Sequence, residues 1–117
     1  MEANKIVNLL FEIKVNSHIV HLQTDSMSEH KTLQCLYEDI EPLLDEYVER
    51  YTGITGKVIS GVKNIQVKEG VRMDTYLKEC AKTFEDYVEK CEHKLLGSVI
   101  EDVNKLIYKT IYLLRMN

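Results

Sequence analysis

The distribution of glycine and proline constrains the fold of this chain more than any other feature. The 117-residue sequence contains one proline and five glycines, four of which fall between Gly53 and Gly70. Because these two residues are the strongest local breakers of regular structure, the sequence on either side of that interval is free to form long helices. We therefore predict an all-α protein whose main irregular region lies between residues 53 and 70.

Apolar residues recur every three or four positions in the long stretches, as amphipathic helices require. The spacing predicts helices over residues 3–23, from about residue 28 to residue 51, and over 71–93, with a turn at Gly97 and Ser98 before a fourth helix. Ser26 followed by Glu29 predicts the start of the second helix. Pro42 predicts a kink or a local break inside it.

The interval between the second and third helices is long enough to affect how the helices are connected. About 16 extended residues reach about 50 Å, whereas a helix of about 25 residues is only about 37 Å long. The two helices that this loop joins need not be adjacent and antiparallel. Two helical hairpins joined by a long crossover loop make a ferritin-like four-helix bundle, and an up-down bundle is the alternative. The length of the chain suits a single domain over residues 1–117.

Composition argues against several functional classes. The formal net charge is -4 and no run of basic residues exists, which disfavours nucleic acid as a partner. No apolar run approaches the roughly 20 residues of a membrane span. The N-terminus lacks a signal-peptide pattern, so we expect a cytoplasmic protein. Cys35, Cys80 and Cys91 form no CxxC pair and are predicted to be packing residues.

The strongest candidate for a functional site combines histidines with a pair of acids. His18, His21 and His30 lie close together in the sequence, and Asp45 and Glu49 are four residues apart, on one face of a helix. Imidazoles beside carboxylates are common ligands of iron, manganese and zinc. Helical geometry places the first two histidines on the apolar side of their helix and both acids opposite the core. One subunit is therefore not expected to complete the site alone.

This stretch resembles the Dps-type mini-ferritins of the ferritin-like superfamily. His18, His30, Asp45 and Glu49 reproduce the family's His, His, Asp and Glu spacing over roughly residues 7 to 53. The resemblance implies a homo-oligomer that binds iron, or another divalent metal, between two-fold related subunits and oxidises or sequesters it. Gln34 stands where the family usually carries a further acid, and the basic N-terminal tail of the family is missing.

The same stretch also looks like small uncharacterised proteins of tailed bacteriophages. In that register His21 replaces His18 as the ligand, so both residues are retained as candidates. The resemblance implies a protein of a bacterial or phage-infected host cytoplasm. Two functions follow: a ferroxidase, or a non-catalytic helical-bundle interaction protein on a ferritin-like scaffold. The sequence leaves open whether the chain is an enzyme.

Overall fold

The computed structural model describes residues 2–116, and within this range the chain is an all-helical bundle without strands. Its elements are α1 (Glu2–Gln23), α2 (Met27–Thr55), α3 (Met73–Lys90) and α4 (Lys94–Leu114). The prediction of an all-α protein with four helices is confirmed for this part of the chain. Met1 and Asn117, the ends of the predicted domain, lie outside the described residues. None of the described helices is long and apolar enough to cross a membrane.

The helices surround the core in the order α1, α2, α4, α3, so that α2 and α3 lie diagonally opposite. Arg50 near the end of α2 donates to the backbone oxygen of Leu95 at the start of α4 over 2.8 Å, which fixes these two helices as antiparallel. Asn16 near the end of α1 donates to the hydroxyl of Tyr76 at the start of α3 over 3.3 Å. α1 and α3 are therefore antiparallel as well.

Local sequence sets the ends of α2. The hydroxyl of Ser26 accepts a hydrogen bond from the Glu29 N–H at 3.1 Å, as predicted from their spacing. Gly56 ends the helix with a φ of 72°, and its N–H donates to Thr52. This left-handed position favours glycine. Of the kink or local break predicted at Pro42, the break does not occur, because α2 continues as one helix through that residue.

The predicted turn at Gly97 and Ser98 is wrong. The turn between α3 and α4 lies at residues 91–93, and Gly97 is a buried residue in the first turns of α4. A Cβ atom at Gly97 would meet Val88 Cγ1 at 3.8 Å. Glycine therefore lies here at a helix contact, and its usual association with turns misled the sequence interpretation.

Residues 56–72 connect α2 to α3 and lie along α1, held by its polar side chains. The backbone N–H groups of Lys63 and Lys68 donate to the side-chain oxygens of Asn8 and Asn16, over 3.2 and 2.7 Å. Between these two contacts, the Gln66 N–H donates to the Glu12 carboxylate at 3.2 Å. Acceptors four residues apart on a helix are about 6 Å apart, close to the length of the two extended residues from Gln66 to Lys68. From Lys63 to Gln66 three residues cover the same rise, and Asn64 between them has a left-handed φ of 57°.

Asp74 links the start of α3 to the end of α4. Its buried carboxylate accepts hydrogen bonds from Arg72 at 3.0 Å and from Arg115 at 3.2 Å. Burial of the carboxyl group opposes its ionisation, but the hydrogen bonds from Arg115 and the Thr75 N–H outweigh this effect and hold the pKa of Asp74 below its ordinary value. The ion pairs therefore stabilise this end of the bundle at neutral pH.

Candidate functional site

Three predicted metal ligands come together where α1 turns into α2. His21 is 6% exposed, His30 is partly buried, and His18 is exposed on the side of α1. The prediction that both His18 and His21 lie on the apolar face is therefore right only for His21. The turn between the helices is short, and it brings the last turn of α1 beside the first turn of α2.

His21 and His30 form a reciprocal pair of hydrogen bonds across this turn. His21 Nδ1 lies 2.7 Å from the backbone oxygen of His30, and His30 Nδ1 lies 2.8 Å from the backbone oxygen of His21. Because a carbonyl oxygen can only accept, we assign the proton to Nδ1 on both rings. The His21 carbonyl is among the last in α1, which have no partner inside the helix, so His30 caps the end of α1.

Ring stacking reinforces the same contact. The His21 and His30 rings are stacked with centroids 3.7 Å apart and planes at 19°. His18 stacks on Tyr37 at 4.2 Å, and the edge of Tyr37 meets His21 at 5.2 Å. We call His18, His21, His30 and Tyr37 the histidine clasp. The clasp joins α1 to α2 by direct contacts of all three histidines.

The predicted acidic ligands lie elsewhere on the chain. Asp45 and Glu49 are exposed on the outer face of α2. At 1.5 Å per residue they lie about 22 and 28 Å along the same helix from His30. One chain therefore does not bring these carboxylates to the histidines, as the sequence analysis anticipated.

The described residues of one chain contain no cluster of metal-ligating side chains. Within residues 2–116 no group of three or more His, Cys, Asp or Glu side chains could hold a metal ion. Both Nδ1 atoms of the His21 and His30 pair are already hydrogen-bonded to carbonyl groups, which leaves only the Nε2 atoms available to bind a metal ion. The part of the chain that the structure describes thus brings few metal ligands together.

Gln34 and the carboxylates around it form part of the same outer face of α2. Gln34 Nε2 donates to Glu38 at 2.8 Å, and Glu41 forms an ion pair with Lys14 of α1 at 2.7 Å. Gln34 stands where the mini-ferritins usually carry an acid, and here it binds its own helix. The face is accordingly acidic and polar, with Asp45 and Glu49 further along it.

Sequence reasoning missed a pair of tyrosines, Tyr47 buried and Tyr87 half-buried, that meet across the bundle. The hydroxyls of Tyr47 and Tyr87 lie 2.6 Å apart and join the diagonal helices α2 and α3. Burial raises the pKa of Tyr47 to about 12. Each tyrosine lies on a predicted apolar stripe, but no pattern in the sequence pairs residues across the diagonal of a bundle.

The three cysteines differ in their surroundings. Cys80 is buried, and its burial raises the pKa of the thiol to about 12. Cys91 is partly buried and Cys35 is exposed, so the predicted packing role is wrong for Cys35. All three are free thiols.

Comparison with known proteins gives a family and a phage relative. Residues 21–114 match the model of a family of unknown function, DUF5856. The chain is also 21% identical over 119 residues to a protein of Enterobacteria phage T4 described as an uncharacterized 14.6 kDa protein in the mobD-ri intergenic region. That alignment covers 98% of this chain and 89% of the phage protein. No solved structure matches.

Proposed function

We propose that this chain, which belongs to the family DUF5856, is a non-catalytic interaction protein of the phage type. The protein would associate with a second copy of itself and act in the cytoplasm of a bacterial or phage-infected cell. A ferritin-like scaffold is part of this proposal. It is supported by the diagonal placement of α2 and α3 and by residues 56–72, which lie along α1 between them.

The observation that carries the proposal is a group of large apolar side chains exposed at one end of the bundle. Arg50 binds the start of α4 to the end of α2, so the end of α4 lies at the same end of the bundle as the turn between α1 and α2. Both segments expose apolar side chains there, between 36% and 69% of their surface. We call this surface the apolar end, and its residues are Leu22, Met27, Tyr112, Leu113 and Met116.

The size of the apolar end suits the centre of a modest protein interface. Taking about 180 Å² for a fully exposed large side chain, these residues expose roughly 500 Å². An area of this size is comparable to the largest apolar patch on a typical monomer, and such patches are often functional. A stable interface buries about 800 Å² on each partner, so a polar rim would supply the remainder. In a two-fold dimer the same apolar surface serves both partners, and for this reason we assign the partner as a second copy.

Sedimentation equilibrium with matched variants tests this proposal. We expect the wild-type chain to dimerise with a Kd in the range of about 1 to 100 μM. Met27→Glu should leave a folded monomer, because it places a charge in the centre of the interface. Val58→Glu introduces the same charge at an exposed valine of the 56–72 segment and should leave the mass unchanged. A wild-type monomer at high concentration, or a Met27→Glu variant that still dimerises, would contradict the proposal.

Iron binding between two subunits is the second candidate. The observation that favours it is the anchoring of His21 and His30 through Nδ1, since metal-binding histidines commonly donate one ring N–H to a backbone carbonyl and bind metal with the other nitrogen. The site would combine His30 and either His18 or His21 with Asp45 and Glu49 of a two-fold partner. Iron is the proposed metal, and another divalent ion would suit the same ligands.

This second candidate requires a different interface, which crosslinking can detect. Pairing His30 with Asp45 of the partner runs two α2 helices antiparallel, with the two-fold axis close to Glu38. Glu38→Cys in a Cys35→Ser background should then form a disulfide dimer, and ferrous binding should be lost in both His30→Ala and Asp45→Ala. Dimers that depend on Met27 and do not crosslink through residue 38 would reject the iron site and support the apolar end.

A further inference from the structure

The outer groove between α3 and α4 contains a buried hydrogen-bond acceptor without a donor. Asn104 is 8% exposed, and its Nδ2 donates to the carbonyl of Ala81 at 3.0 Å. Its Oδ1 is buried and has no hydrogen-bond partner within residues 2–116. Exchanging the two amide atoms would set an oxygen against the Ala81 carbonyl, so this orientation is fixed. An unpaired buried acceptor is costly, and a donor from outside the chain, either a water molecule or a ligand, would satisfy it.

The rest of the groove is both acidic and apolar. It has a volume of about 520 Å³, and Glu85 and Glu89 of α3 face Glu101 of α4 across it. Val88 and the ring of Tyr108 supply its apolar surface. Lys105 also lines the groove, and its ammonium group lies 3.5 Å from Asp102. The groove therefore has a net negative charge and an aromatic face.

A hydrogen bond across the groove covers the unpaired acceptor. The Tyr108 hydroxyl donates to Glu85 at 2.5 Å. Tyr108 follows Asn104 by one helical turn, and Glu85 follows Ala81 by one turn. Because helical side chains lean toward the N-terminus, both groups lie over the bond between Asn104 and Ala81. A ligand that replaces the tyrosine hydroxyl as the donor to Glu85 would uncover Asn104 Oδ1.

We propose that this groove binds an aliphatic primary ammonium group, with Glu85 and Asn104 as its acceptors. An ammonium group has three donors, which suit the amide oxygen and neighbouring carboxylates together. The Tyr108 ring attracts a cation, and Val88 packs against an alkyl chain. A bare metal ion would gain nothing from this apolar surface. The site lies on α3 and α4 and does not depend on either function proposed above.

Calorimetric titration of the full chain with 1,5-diaminopentane tests the proposal. We expect saturable binding that weakens about tenfold or more in Glu85→Gln and in Asn104→Leu, because each variant loses a hydrogen bond to a charged group. Asp86→Asn is the matched control, since it removes the same charge from a residue that lines a different cleft, with Glu2 and Lys5. Tyr108→Phe keeps the ring, removes the competing hydroxyl and should tighten binding.

A second titration, with Nα-acetyl-lysine methylamide, distinguishes the sources of the ammonium group. A diamine that binds at least about tenfold tighter, a difference of about 1.4 kcal/mol, indicates a free polyamine. Comparable binding of the two probes indicates a lysine side chain of a partner protein. The proposal is overturned if neither probe shows saturable binding, or if Glu85→Gln binds as tightly as Asp86→Asn. Glu85 and Tyr108 are exposed, so their variants remain informative if Asn104→Leu does not fold.

Discussion

Replacing His30 with alanine should destabilise the protein by about 2 kcal/mol. The change removes the hydrogen bond to the His21 carbonyl, which contributes about 1 kcal/mol. It also removes the stacked ring pair, for which about 0.5 to 1.5 kcal/mol is typical. The hydrogen bond from His21 to the backbone of residue 30 is unaffected by the substitution. For a chain of this length the loss corresponds to a decrease in Tm of roughly 8 °C.

Urea denaturation followed by circular dichroism measures this effect, and we expect the midpoint to fall by about 1 M. His93→Ala is the matched control, because His93 is exposed and its side chain forms no capping hydrogen bond. The measurement is repeated with EDTA. If His30→Ala lies within about 0.5 kcal/mol of wild type, the clasp does not stabilise the fold. If EDTA destabilises only the wild type, bound metal and not the clasp alone accounts for the stabilisation.

Three further substitutions test other contacts. Asp74→Asn should lower the free energy of unfolding by about 1.5 to 3 kcal/mol at neutral pH. Because folding lowers the pKa of Asp74, the difference between the variant and the wild type should shrink as the pH falls below about 4. Urea denaturation at several pH values measures this difference. Gly97→Ala should raise Tm by a few degrees, because a Cβ atom at this position meets only Val88 at 3.8 Å and alanine favours a helix by about 1 kcal/mol. A decrease in Tm would contradict the position of Gly97 within α4. Asn16→Leu should release residues 66–68 from α1, measured as faster hydrogen exchange of the Lys68 amide, whereas unchanged exchange would show that the segment is held by other contacts.

The helices and the acidic face of α2 could be predicted from the sequence because they depend on local periodicity. The start of α2 at Ser26 was also readable, since a capping residue acts within one turn. Gly97 was misread for the opposite reason. Glycine occurs at turns and also inside helices, and here the backbone continues as helix past Gly97, with Val88 in ordinary contact at 3.8 Å.

The candidate site was only partly predictable. The sequence placed three histidines near one turn, but their roles depend on which nitrogen meets which carbonyl, and His21 and His30 meet only because the turn between α1 and α2 is short. The polar positions Asn8, Glu12 and Asn16 repeat every fourth residue, a signal that was present in the sequence. Their partners are backbone N–H groups within residues 63–68. Because nearly every residue carries a backbone N–H group, the residue types of this segment do not identify it as the partner.

The location of the interface is the most direct test of the proposed association. An NMR dilution series of the wild-type chain, recorded by amide chemical shift, reports which surface changes as copies separate. We predict concentration-dependent shifts at Leu22, Met27, Leu113 and Met116, with the amides of Glu38 and Asp45 unchanged. Shifts confined to the outer face of α2, or a spectrum that does not change with concentration, would contradict association through the apolar end.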